Sequence, residues 1–113
     1  NVPRRGVSWS RRRVLQRDGY RCIYCGATVG EQRRGHILTR ADFTVEHLIP
    51  SSRGGANTWS NTACACRWCN HRKADRTPHE AGMRLLWEPK RPRVNYMVVT
   101  GDVPVEWKAY LRL

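Results

Sequence analysis

Phe43-Thr44-Val45-Glu46-His47-Leu48-Ile49-Pro50, then Ser51-Ser52-Arg53-Gly54-Gly55, and later Cys66-Arg67-Trp68-Cys69-Asn70-His71-Arg72-Lys73, is the part of the chain that decides its fold. Residues 36–49 are rich in β formers, with Phe43-Thr44-Val45 as the best strand signal, and Pro50 ends the run. Residues 51–57 form a wide glycine loop, and residues 59–65 return as a second short strand. A helix is predicted from about Cys66 to Ala74, where no breaker intervenes. The unit is β-β-α. In a regular strand Glu46 and His47 face opposite sides, so both reach one site only if the strand ends or bulges there; Pro50 and the loop permit this.

Upstream, Ser8 or Ser10 caps a helix through Trp9–Asp18, and Gly19 is its left-handed stop. Residues 1–7 read as a basic arm, residues 20–26 as a turn carrying Cys22-x-x-Cys25, and residues 27–35 as loop. Downstream, Thr77 as N-cap, Pro78 at N1 and Glu80 at N3 predict a helix running to about Trp87. Residues 89–93 read as a stiff basic linker, 96–100 as a strand and 104–111 as a final helix.

Four of the five cysteines fall in two C-x-x-C pairs, Cys22/Cys25 and Cys66/Cys69. In a chain without a secretory apolar segment, such pairs read as a four-thiolate zinc site rather than as disulfides. The two-residue spacer lets turn amides face the thiolates. All four positions are closed by sulfur, so this Zn²⁺ is structural. The pairs bracket the β-β-α unit and staple segments distant in sequence, supplying stability that a small core cannot. Cys64, between Ala63 and Ala65, reads as a small buried hydrophobe.

A length of 113 residues leaves room for one α+β domain, residues 1–113. Lys and Arg number 21 against 9 Asp and Glu, a formal charge of +12, and 18 of the 21 are Arg. That excess calls for a polyanionic partner, above all nucleic acid. No apolar run has the length of a membrane span, so no membrane partner is expected.

Glu46-His47, Gly54-Gly55, Asn61 and Cys66-x-x-Cys69-Asn70-x-x-Lys73, preceded by Cys22-x-x-Cys25, together resemble the HNH endonucleases over about residues 20–76. The resemblance implies a small ββα-metal (His-Me finger) core with flanking helices that hydrolyses DNA using one divalent ion. His47 falls at the general-base position, and imidazole titrates near neutrality. Glu46 and Asn70 fall at the metal positions, and oxygen ligands suit Mg²⁺ or Mn²⁺. Glu46 stands where Asp or His is more usual, and His71 is an alternative ligand from the helix. Asn61 matches the middle Asn, which orients the His47 segment across the glycine loop. Arg53, Arg67, Arg72 and Lys73 are candidates to hold phosphates, and Arg11, Arg12 and Arg13 to meet the DNA backbone. Trp59, Trp68, Trp87 and Trp107 are expected to fill the core, with base stacking open to any that is exposed.

The expected activity is nicking of one strand by a monomer or weak homodimer, with little sequence preference, in the cytoplasm of a bacterial cell or phage-infected host. Two other readings use the same residues differently: a non-catalytic zinc-stabilised nucleic-acid-binding module, or a nuclease subunit active only within a larger phage or restriction assembly.

Overall fold

The computed structural model describes residues 7–92. The basic arm before Val7 and the strand and helix expected after residue 93 lie outside the described residues. The elements are α1 (Arg11–Arg17), β1 (Gln32–Arg33), β2 (His36–Ile37), β3 (Phe43–His47), β4 (Thr62–Cys66), α2 (Arg67–Lys73) and α3 (Pro78–Ala81). The expected β-β-α unit is β3, β4 and α2.

β3 and β4 pair antiparallel in unbroken register, from Phe43 opposite Cys66 to His47 opposite Thr62. Every residue of β4 is buried, and most are small, so neighbouring segments approach its backbone closely. On one flank the first cysteine turn docks by a hydrogen bond from Ile23 N–H to Cys64 O at 2.9 Å. Phe43, Leu38, Cys22, Ala27, Cys64 and Ala65 form one core cluster. Val7, Val14, Val45 and Trp59 form a second beneath α1. Both are modest, and the first is built largely from small side chains.

Ser10 caps α1 by accepting from Arg13 N–H, and Gly19 takes φ +63° beyond its end, as expected. The sequence did not signal how α1 is fastened. Arg17 forms a two-pronged ion pair with Asp18, through Nε at 2.7 Å and Nη2 at 3.0 Å. The same guanidinium donates to Trp59 O and Thr62 O, while Asp18 Oδ2 accepts from Cys64 N–H at 2.8 Å. Both side chains are almost wholly buried, so this pair ties α1 to β4 through backbone groups that would otherwise lack partners.

Two expectations need correction. Residues 27–35 are not all loop: β1 and β2 form a tight hairpin whose turn residues, Arg34 and Gly35, have φ of +54° and +73°. Two left-handed positions in succession suit the right-handed twist of short strands, and an Arg-Gly turn gives a weaker signal than Asn-Gly. The helix opened by the Thr77–Glu80 capping box ends at Ala81, not near Trp87. Gly82 takes φ +66°, and the chain then extends back so that Leu86 N–H donates to Ile23 O at 2.8 Å. Docking against the first cysteine turn outweighs the helix preference of the residues after Gly82.

Arg17→Met should strand the Asp18 carboxylate in a buried site and destabilise the fold by about 3–5 kcal/mol. Denaturant unfolding measures this. A change under about 1 kcal/mol would mean the pair is dispensable.

Candidate active site and metal centre

The ligand atoms of Cys22, Cys25, Cys66 and Cys69 all lie within 4.8 Å of one another. The sulfurs of Cys25 and Cys66 are 3.8 Å apart. That matches the edge of a tetrahedron whose centre lies ~2.3 Å from each sulfur, a zinc–thiolate bond length. In each C-x-x-C turn the second cysteine's amide faces the first cysteine's sulfur: Cys25 N to Cys22 Sγ at 3.5 Å, and Cys69 N to Cys66 Sγ at 3.4 Å. Cys66 doubles as the N-cap of α2, so the helix starts directly on the cluster. Hydrogen bonds from Cys66 and Cys69 hold the Cys22 thiol far below its ordinary value. The return effect pushes Cys66 up to about 11 and raises Cys69 as well. The cluster thus favours a shared negative charge, which a central cation would neutralise. It is compatible with a zinc site. Cys64 lies outside it, and burial raises its thiol, so it stays neutral and structural.

A second group of residues meets at the far end of the β-β-α unit. Glu46, His47, Ser51, Asn70 and Asp75 all border one open cleft of about 220 Å³. β3 stays regular through Glu46 and His47 with no bulge. The two neighbours share the cleft because the strand ends at His47, where Pro50 and Ser51 fold the chain back along the sheet end.

Glu46 is buried, 3% exposed, with one partner on each carboxylate oxygen. Its Oε1 accepts from Lys73 Nζ at 3.2 Å, and its Oε2 from the Tyr24 hydroxyl. Burial raises its carboxyl above the usual range, outweighing the opposing pull of Tyr24 and Lys73. The Tyr24 phenol is raised too, by burial and by that carboxylate. His47, half-buried, meets Asn57 Oδ1 through Nε2 at 2.7 Å. With Asn57 Oδ1 as the acceptor, a neutral imidazole carries its proton on Nε2 and keeps the lone pair on Nδ1.

Asn61 clamps the loop that follows β3. Its Oδ1 accepts from Ile49 N–H at 2.9 Å, and its Nδ2 donates to Ile49 O and Ala56 O. Gly55 completes this closure, since a Cβ there would stand 1.7 Å from Ile49 O.

The basic candidates divide. Arg11, Arg12, Arg53, Arg67 and Arg72 are exposed and Arg13 is partly so. Arg13 donates to Ser8 O, and Arg53 pairs with Glu80. Lys73 requires correction. It has no exposed surface, and its ammonium binds Glu46 and His47 O at 2.9 Å; it neutralises a buried carboxylate and has no reach to a DNA phosphate. His71 is exposed and borders a neighbouring cleft, whereas Asn70 borders both. Tyr24, Asn57 and Asp75 were not singled out from the sequence: Tyr24 sits inside the cysteine turn, and the other two are ordinary polar loop residues until the fold brings Asn57 to His47 and Asp75 to the cleft. Of the tryptophans expected in the core, Trp59 is buried while Trp68 and Trp87 are only half-buried; Trp107 lies outside the described residues.

An antiparallel strand pair running directly into a helix, with a carboxylate, an imidazole and an amide at one end and a four-sulfur cluster at the other, defines the ββα-metal class. The profile of the HNH endonuclease family matches residues 22–86, more than half of the chain, and the chain belongs to that family. A comparison with curated proteins gives no match. Among the described residues no helix is long and apolar enough to cross a membrane.

Two outcomes follow for stability. Cys66→Ser, or stripping metal with a strong chelator, should abolish cooperative unfolding, seen as loss of the thermal transition by circular dichroism; a sharp transition in metal-free protein would refute the staple. Lys73→Met should cost about 3–5 kcal/mol by leaving Glu46 buried and unpaired, and an unchanged denaturation midpoint would show that the pair carries no weight.

Proposed function

We propose that this protein is a metal-dependent DNA endonuclease that nicks one strand at a time, with Zn²⁺ in the four-cysteine cluster and Mg²⁺ or Mn²⁺ in the Glu46–Asn70 cleft. The observation that carries this reading is the shared cleft, in which a histidine hydrogen-bonded to Asn57 stands beside Glu46 and Asn70 in an HNH-family protein.

The oxygens of this cleft fit a hard divalent cation. Glu46 retains acceptor capacity on each oxygen beyond its bonds to Lys73 and Tyr24. Asn70 is favoured over His71 because it shares the cleft with Glu46. When bound, the cation supplies charge relief to the non-bridging and departing oxygens. The adjacent Lys73 ammonium opposes a second positive charge, so affinity for the cation should be modest.

In the reaction, Nδ1 of His47 takes a proton from water as the water oxygen bonds to phosphorus. The bond from phosphorus to the 3′ oxygen breaks, and that oxygen leaves with a solvent proton. The products are a 5′-phosphate and a 3′-hydroxyl. Asn57 holds the imidazole in the tautomer this requires, and Asn61 holds the loop beside it. The exposed arginines, among them Arg53, Arg67 and Arg72, meet flanking phosphates, so activity should fall steeply with salt.

One observation favours a second reading. Lys73 already neutralises Glu46, as it would in a zinc-stabilised binding module without catalysis. Relaxation of supercoiled plasmid separates the two. The catalytic reading expects nicking that needs added Mg²⁺ or Mn²⁺ and drops about 10²–10⁴-fold in His47→Ala while DNA binding persists. Binding without nicking by the wild type under all metal conditions would leave the binding module standing.

A further inference from the structure

Trp68, on the outer side of α2, is half-buried and carries two guanidinium groups. Arg67 lies 4.8 Å and Arg34 5.6 Å from its ring centroid. Arg34 occupies the exposed turn of the β1–β2 hairpin and stands near the outer limit of a cation–π contact. Together with Asn70, His71 and Arg72, these residues line a cleft of about 560 Å³. Asn70 also borders the Glu46–His47 cleft, so the two are contiguous across one residue. A polyanionic strand passing the candidate catalytic residues would enter this second cleft next.

The composition of the cleft suits more than a phosphate. Three arginines, exposed to solvent, match the backbone charge, while an indole face is the surface on which an unpaired base stacks. A base inside an intact duplex cannot reach it. We infer that Trp68 and Arg34 form a subsite for one unpaired nucleotide beside the scissile phosphate, which directs the protein to gapped, bulged or splayed DNA over continuous duplex. The base displaces the Arg34 guanidinium from the ring, and Arg34 turns to the adjoining phosphate. This rests on the nuclease reading for its reaction but not for its binding.

The test uses full-length, zinc-loaded His47→Ala protein, so that binding is measured without cleavage. Fluorescence anisotropy compares a labelled blunt duplex with the same duplex carrying a short single-stranded gap. The gapped DNA should bind more tightly. Trp68→Ala should weaken gapped binding roughly 5- to 150-fold, the loss that removal of one base–aromatic stack gives, and weaken duplex binding less than about threefold. Trp68 also packs against the core, so Arg34→Ala, at an exposed turn, serves as the variant free of folding risk, and Trp68→Phe should retain most gapped affinity. Equal binding of the two DNAs by the Trp68 protein, or equal losses on both in Trp68→Ala and Arg34→Ala, would overturn the subsite. Preference for gapped DNA with no nicking by the wild type would sink the nuclease reading and leave the subsite intact.

Discussion

The convergence of four sulfurs from two turns, with Cys25 and Cys66 41 residues apart in sequence, is the constraint on which the rest of this structure depends. The two apolar clusters are small, one of them rich in alanine and cysteine and the other three valines around Trp59, too little to hold so short a chain against its conformational entropy. A central cation would join the first turn to the start of α2 directly. Because Cys66 is at once the last residue of β4, a cluster member and the N-cap of α2, fixing that atom fixes the strand end and the helix direction together.

From there α2 distributes three jobs among three of its residues. Cys69 completes the cluster, Asn70 enters the cleft one position later, and Lys73 turns beneath the sheet to neutralise Glu46. A buried carboxylate beside an ammonium and a phenol is costly to desolvate and adds little net stability. On the proposed nuclease reading, that pairing holds the carboxylate rigid at the edge of the cleft beside His47.

Much of this was legible in the sequence because its signals are local. Paired cysteines at fixed spacing, Pro50 after a β run, and the Thr77–Glu80 box each report a backbone requirement within a few residues. The Glu46, His47 and Asn70 grouping was legible through family resemblance, and the structure brings the three to one cleft. What sequence could not reveal is partnership at a distance. Arg17 and Asp18 look like surface charges until β4 offers them carbonyls and an amide. Lys73 looks like a phosphate ligand because lysines usually are exposed, and only the depth of Glu46 shows otherwise. The helix after Pro78 was overextended because its competitor, the backbone of Ile23, lies more than fifty residues upstream.

Amide hydrogen exchange before and after removal of zinc tests the central claim most directly, because it reports on the cluster and the cleft in one experiment. Protection should collapse together in the first cysteine turn, along β3 and β4, and through α2 to Asn70. Exchange that rises only around Cys22–Cys25, with β3 and α2 still protected, would contradict the account and show that the cleft stands without its sulfur-bound ion.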